Sequence, residues 1–470
     1  MKYTRLAAAV LATTLCLPTL SFATNGYLLH GYGKNKGTGG AGIANPQDAI
    51  AAGTNPAGTV WVGNRFDLFG EFFNPRRGYD FDGDPTLNVN DALAGNINAG
   101  DAFAVLGSSD KVNSEKDVFL IPAMGFTHKI DDVSAWGISV YGAGLGSHYN
   151  HDDTSNNVLD SAANIGGNQV NLGNILRDSG VNPNKPGLFF DGTAGVDLLL
   201  VMTNINYSRK ITENASWGLG VILAFQSFKA YGLGAFDNGA LTKNVGFVTD
   251  KGRDKAYGYG MNMGIQAELI DGFTVAAAYQ TELGLEHEKY KGLFASNGDL
   301  SLPRNWTIGM TWKPSRSYAL SFDIQRIYWS ESPAIGDSFE AFVTFNDGQL
   351  AVARLGGPDA AGFGWDDSTV YKLGFQWEMA FLPKWEWRVG YSYQDQIVPG
   401  SETLFGTLAP AVIQEHYTFG FSKEFDSGDE VIMNFVYAGL ETRRGSGFSQ
   451  GVDIYLEEYG VEIGYSWNFD

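Results

Sequence analysis

The chain has 470 residues, 44% of them apolar and 14% aromatic, and a formal net charge of -20. That acidity argues against a nucleic-acid partner, which needs a basic surface. Past the N-terminus there is no run of about 20 apolar residues, so a transmembrane helix is excluded, and the length suits either several soluble domains or one large closed barrel.

Residues 1–23 read as an export signal. Lys2 and Arg5 precede an apolar run from Leu6 to Leu17, and Ser21-Phe22-Ala23 has the small-x-small pattern of a cleavage site. Cys16 falls inside the segment and follows Leu15, which is too large for a lipobox, so the mature chain would carry no cysteine. Residues 24–63 are not strand-like. "HGYGKNKGTGGAGIANPQDAIAAGTNPAGT" is rich in Gly and Ala, which permit tight turns and close backbone approach. It reads either as a disordered leader or as a compact plug, in which "IANPQDAIAAG" forms a short helix with Pro46 near its first turn.

From residue 64 onward the chain alternates. Candidate strands are 64–74, 118–130, 134–149, 192–211, 215–231, 256–270, 273–288, 302–313, 318–330, 369–380, 385–398, 415–425, 429–442 and 454–469. They make about fourteen, an even number within the range of bacterial barrels. Between them, short turns such as "IDD", "TEN", "DG" and "DSG" alternate strictly with long polar stretches. Brief periplasmic turns and extended extracellular loops produce that rhythm; a soluble sandwich has no reason to keep it.

The pattern also fixes which face meets lipid. In "KWEWRVGYSYQ", Trp385, Trp387, Tyr391 and Tyr393 oppose Glu386, Arg388 and Gln394. In a barrel the aromatic face is outside and the polar face is the lumen. Lys372 and Arg388 then point inward, where they either hold an anionic ligand group or brace a polar network. The third strand carries Gly142, Gly144 and Gly146 at alternate positions, which permits a bend or gap, or close packing against the plug. In loop 150–191, Val158, Leu159, Ala162 and Ile165, then Leu172, Ile175 and Leu176, have the spacing of short amphipathic helices, and Phe189 and Phe190 add aromatic surface. This loop is the candidate for ligand capture.

Several motifs together resemble the FadL-type outer-membrane transporters of long-chain fatty acids and hydrophobic aromatic compounds. Gly40-Ala41-Gly42-Ile43-Ala44, Asp48-Ala49 and Asn55-Pro56-Ala57 are similar to that family's N-terminal hatch. Ile121-Pro122-Ala123, Gly144-Leu145, Leu302-Pro303 and Arg388-Val389-Gly390-Tyr391 follow in order along the barrel. The ending "VEIGYSWNFD" resembles the C-terminal assembly signal of outer-membrane barrels, with Asp470 added after the aromatic residue. The resemblance implies an all-β, fourteen-stranded antiparallel barrel over residues 64–470, plugged by a hatch over 24–63. It implies uptake of a hydrophobic small molecule, captured on extracellular loops and released sideways once the hatch (with Asn55, Pro56 and Ala57) and a kink in the third strand open. It further implies a monomer in the bacterial outer membrane, among lipid and lipopolysaccharide, inserted by the barrel assembly machinery.

Other chemistry is thin, and no cofactor, metal or catalytic residue is expected. Asp80, Asp82, Asp84 and Asp91 approach calcium-loop spacing, but Pro85 stands where that loop needs glycine. His148 and His151 lack further metal ligands nearby in sequence. A Ser/His hydrolase would have to use His287 or His416, on which no serine motif converges. A general porin for polar solutes is the other alternative.

Overall fold

The computed structural model describes residues 31–81, 111–150, 162–165, 168–171, 189, 191–239, 241–339, 343–346, 349–352, 354–358 and 360–469. The signal segment 1–23, Asp82, Asp84, Asp91, His151, Val158, Leu159, Leu172, Ile175, Leu176 and Phe190 lie outside them.

The barrel strands are β1 Arg65–Phe81, β2 Phe119–Lys129, β3 Ser134–Gly146, β4 Gly195–Thr212, β5 Ala215–Tyr231, β6 Asp254–Ile270 and β7 Phe273–Gln280. They continue with β8 Asn305–Ser315, β9 Tyr318–Ile327, β10 Ser368–Met379, β11 Leu382–Gln394, β12 Glu415–Glu424, β13 Glu430–Arg443 and β14 Val452–Asn468. Each pairs antiparallel with its neighbours in sequence, and β14 returns to β1 from Arg65↔Asn468 to Phe81↔Val452. That pairing closes the sheet into a barrel, as a bilayer requires. All fourteen candidate segments correspond to barrel strands.

Two boundaries and two helices differ from expectation. Segment 273–288 stops being strand at Gln280. The chain then turns inward, burying Leu283 and Leu285, and bridges back through Leu283↔Leu302 and Glu286↔Asp299. The first strand runs past 74 to Phe81. Pro75 is tolerated in it because β1 pairs with β2 only as far as Phe73↔Phe119, and pairing on that side resumes only at Gly78↔Asn113, so Pro75 falls in the break. In place of a helix at 162–165, Ala162–Ile165 pairs with Asn168–Asn171. The Gly166-Gly167 dipeptide between them is a hairpin signal that outweighs the apolar spacing. The helix expected at Pro46 is replaced by a single turn, Ala51–Thr54.

The outward face is the aromatic and aliphatic one. Tyr257 and Tyr259 are 74% and 80% exposed, and Met261, Met263 and Ile265 continue the stripe. Arg388, on the opposite face from Trp387, is fully buried. Trp387 itself stacks on Trp385 at 5.9 Å and meets Phe421, tilted, at 5.5 Å, on the outer wall. Short turns are held by their own side chains: Asp131 Oδ1 accepts from Val133 N at 2.9 Å and from Ser134 Oγ at 2.7 Å.

Candidate functional site

Residues 31–62 sit inside the barrel and are held there by the wall. A chain of turns buried away from water must still satisfy its backbone groups. Here lumenal side chains do so. Asp323 Oδ2 accepts from Gly42 N and Ile43 N at 2.8 and 3.0 Å, and Asp67 Oδ2 accepts from Ala49 N at 2.6 Å. Thr418 Oγ1 accepts from Gly39 N at 2.8 Å, while Asn434 Nδ2 donates to Gly33 O at 2.8 Å. Charge adds to this. Lys34 Nζ lies 2.6 Å from Glu430 Oε2. Lys36, fully buried, pairs with Glu71 and, at 3.3 Å, with Glu462. Glu71 and Glu462 face each other across the β1–β14 seam, so one hatch lysine clips the first strand to the last.

Asn55, Pro56 and Ala57 lie close against the wall. The Asn55 side chain caps the 3-10 turn Pro56–Gly58, accepting from Ala57 N at 3.1 Å and donating to Ile43 O at 3.0 Å. Ala57 O accepts from Ser208 Oγ and Ser216 Oγ at 3.0 and 2.8 Å. A Cβ at Gly218 would overlap the Pro56 backbone, and one at Gly264 the Asn55 side chain. Glycine at these wall positions is what admits the hatch so closely.

The glycine series of β3 borders an unpaired stretch of wall. Toward β4 the strand is laddered throughout, from Ser134↔Arg209 to Gly146↔Asp197. Toward β2 the pairing runs only from Lys129↔Ala135 to Ala123↔Tyr141. The next residue of β2 is Pro122, which has no N–H to offer. Among the described residues no ladder pair joins Phe119–Pro122 to Gly142–Gly146. Ser139 and Tyr141 face the hatch, so alternation puts Gly142, Gly144 and Gly146 on the outer face, in line with Trp136, Ile138 and Val140. The Gly142 carbonyl is instead taken by the hydroxyl of Tyr32 in the hatch, whose ring packs on Tyr141 at 5.2 Å.

Two cavities of opposite character lie in the lumen. The first, about 70 Å³, lies against the hatch and is lined by Tyr32, Tyr141, Asn262, Gln280, Asp323 and Lys372 among others. The second, about 40 Å³, has walls of Ala143, Leu198, Leu200, Phe228, Trp329, Trp365 and similar residues. Gly144 and Leu145 contribute to it, so it borders the β3 glycine series. Among its described lining residues the one side chain of polar class is Gln226, fully buried, whose Oε1 lies 2.7 Å from His287 Nε2. Burial pushes the His287 imidazole down to about 4 against the opposing pull of Asp254, which keeps it neutral.

The sequence-selected residues thus fall in different places. Gly144 borders the apolar cavity and Lys372 the polar one, where its Nζ donates to Gln325 Oε1 at 2.9 Å. Arg388 lies under the hatch, paired with Glu386 and donating to Ser422 Oγ at 3.0 Å, with Gly37 packed on its stem. Phe189 is buried among extracellular-loop aromatics, 5.3 Å from Phe236. His416 pairs with Glu458 at 3.0 Å, and His148 Nδ1 lies 2.8 Å from the Tyr231 hydroxyl. Sequence reasoning missed Tyr32, Gln226, Trp329 and Trp365. Only Gln226 left a signal: in "VILAFQSFKA" it is the single polar residue at lumenal phase, between Ala224 and Phe228.

A family model described as outer membrane protein transport protein (OMPP1/FadL/TodX) matches residues 180–426, more than half of the chain. The chain belongs to this family. Its members' outer-membrane location agrees with the closed, lipid-faced barrel. Among curated protein sequences none matches. Among solved structures, the toluene transporter TodX of P. putida is similar at 17% identity, covering 94% of this chain and 99% of its own, with a TM-score of 0.59. The Ralstonia pickettii toluene transporter TbuX is 16% identical, with 94% and 100% coverage and a TM-score of 0.57. A Pseudomonas aeruginosa FadL homologue is 14% identical, with 97% and 99% coverage and a TM-score of 0.58. At these identities the likeness carries the fold.

Proposed function

We propose that this outer-membrane transport protein takes up hydrophobic small molecules and releases them sideways. The ligand is captured on the extracellular loops, seats in the apolar cavity and leaves between β2 and β3 after the hatch shifts. The single observation that carries the reading is the apolar cavity bordering a stretch of wall without strand pairing. Likeness to two toluene transporters and a FadL homologue supports the substrate class. A polar-solute porin would instead need an open, wet lumen, and this one is filled by residues 31–62. The barrel works as a monomer, inserted by the assembly machinery through its C-terminal strand, among lipid and lipopolysaccharide. The family's activity is transport, and the reading gives the chain no catalytic step.

The route is tested at Gly144. Gly144→Leu puts a bulky side chain at the opening and should abolish uptake of a labelled hydrophobic substrate by cells carrying equal surface amounts of protein. Binding to the purified variant should persist. Normal uptake with Gly142→Leu, Gly144→Leu and Gly146→Leu alike would remove this strand from the route.

A further inference from the structure

We propose that the outer wall formed by β5 to β8 carries a seat for one glycerophospholipid of the periplasmic leaflet, with an acyl chain in an apolar groove and the phosphate on Arg209. The proposal goes beyond the uptake reading and does not depend on it.

The groove, about 490 Å³, has the volume of a ligand pocket but lies on the outward face of the barrel. Its described lining consists of Gly, Ala, Leu, Ile, Met, Trp and Tyr only. The centre is low because the outward residue there is Ala277, set between Ile265 on β6 and Ile308 on β7's other neighbour, β8. Trp217 closes one flank and Trp306 the other. Ala215 and Ala267 are opposite each other one outward position nearer the turns, so the low ground continues toward the periplasmic end.

Position decides the occupant. This face meets the bilayer, so what fills a groove here is lipid. Trp217 is the third residue of β5 after its periplasmic turn, Ala277 the fifth of β7, and Ile308 the eighth counted back from the end of β8. The groove therefore climbs away from the periplasmic interface. Eight residues against three on tilted strands is roughly 12 Å of depth, most of one leaflet. An acyl chain hanging from that interface follows the same course.

The interfacial end supplies a matching charge. Arg209 stands directly opposite Trp217 across the β4–β5 ladder and is exposed at outward phase. The groups acting on it are the Tyr207 hydroxyl and Asp131. Tyr207 also sets its ring edge-on to Trp217 at 5.9 Å. Asp131 is occupied by its own turn, accepting from Val133 N and Ser134 Oγ. A guanidinium suits phosphate because it offers paired N–H donors, and its long stem reaches the headgroup level from the barrel wall. At the far end the polarity is already spent, since Trp306 Nε1 donates to the Tyr328 hydroxyl at 3.1 Å. One end of the groove takes a head and the other takes a chain.

The test uses the purified full-length protein in mild detergent, titrated with dioleoyl phosphatidylglycerol or dioleoylglycerol and read by native mass spectrometry. The two probes share their chains and differ in the phosphate. The first phosphatidylglycerol should be retained about fivefold more tightly than the first dioleoylglycerol, the worth of one arginine near a lipid surface. In Arg209→Gln that ratio should fall to about onefold while dioleoylglycerol binding stays. Ala277→Phe fills the centre of the groove and should weaken both lipids about tenfold. Ala277→Leu supplies the same comparison if the Phe variant fails to show heat-modifiable mobility. Equal retention of the two lipids by the wild type, a ratio unchanged in Arg209→Gln, or binding unchanged in both Ala277 variants would overturn the proposal. So would a dimeric wild type that becomes monomeric in Ala277→Phe, because the groove would then belong to a second copy of the chain.

Discussion

Lys36 is where the hatch and the barrel seam meet, and removing its charge should be costly. The ammonium is fully buried between Glu71 and Glu462, which are directly opposite each other on β1 and β14. Lys36→Met keeps most of the side-chain volume but leaves two carboxylates facing one another in a dry space. Breaking a buried ion pair by deleting one partner costs about 3–5 kcal/mol. The damage falls on the pairing that closes the barrel, so unfolding in urea in phospholipid vesicles should shift by that amount.

The double variant Lys36→Met/Glu71→Gln should recover most of the loss, because the like charges no longer oppose each other. Deleting residues 25–58 entirely should be milder at the seam than Lys36→Met. With the hatch gone, water enters the lumen and solvates both carboxylates, whereas the single substitution keeps them dry. Two results would refute the reasoning. One is a Lys36→Met protein within about 0.5 kcal/mol of wild type, the range of an ordinary surface change. The other is a double variant no more stable than the single one.

The remaining predictions address the lumen, the phase and the gap. Deletion of 25–58 should leave an assembled barrel with raised planar-bilayer conductance; large conductance already present in the intact protein would favour a porin. Trp387→Arg should hinder assembly by about 2–4 kcal/mol if the residue faces the bilayer midplane, measured as loss of heat-modifiable mobility. Tyr32→Phe removes the hydroxyl that holds the Gly142 carbonyl but keeps the ring on Tyr141, so uptake should speed up while ion conductance stays low. A simultaneous rise in conductance would mean that Tyr32 anchors the hatch and not the gap.

The barrel was legible because its rule is local. Alternation in "TVYKLGFQWE" reports its own phase, and Tyr371, Leu373 and Phe375 are indeed the exposed set there. Loop lengths gave the strand order, since antiparallel neighbours need only a turn. What stayed hidden depends on contacts between distant residues. Gly390 reads simply as a lumenal position, yet a Cβ there would overlap the hatch backbone at Thr38 and Gly39. Lys36 reads as one of two hatch lysines, and only closure of β14 onto β1 puts Glu71 and Glu462 around it. The apolar cavity draws on β3, β4, β5 and the loops beyond β7 and β9, and no periodicity announces that meeting.

Hydrogen-bond accounting favours the sideways route over passage through the hatch. A ligand moving toward the periplasm would have to displace turns whose backbone groups are bonded to Asp323, Asp67, Thr418 and Asn434. Bonds to charged acceptors are worth about 1.5–3 kcal/mol each, and leaving such groups unpaired in a dry lumen costs more. The buried ion pairs of Lys34 and Lys36 would have to break as well. Beyond that barrier the ligand would be released into water, losing about 25 cal/mol for each Å² of apolar surface it exposes. Among the described residues no ladder pair between β2 and β3 stands in the way above Ala123↔Tyr141, and Tyr32 to Gly142 is the hatch bond to clear. The Lys36 ammonium sits 5.3 Å from the centre of the Tyr32 ring. The residue that latches the gap is therefore packed on the residue that clips the seam, and a shift of this short stretch of hatch would loosen the Tyr32–Gly142 bond at the opening while every strand ladder stays intact.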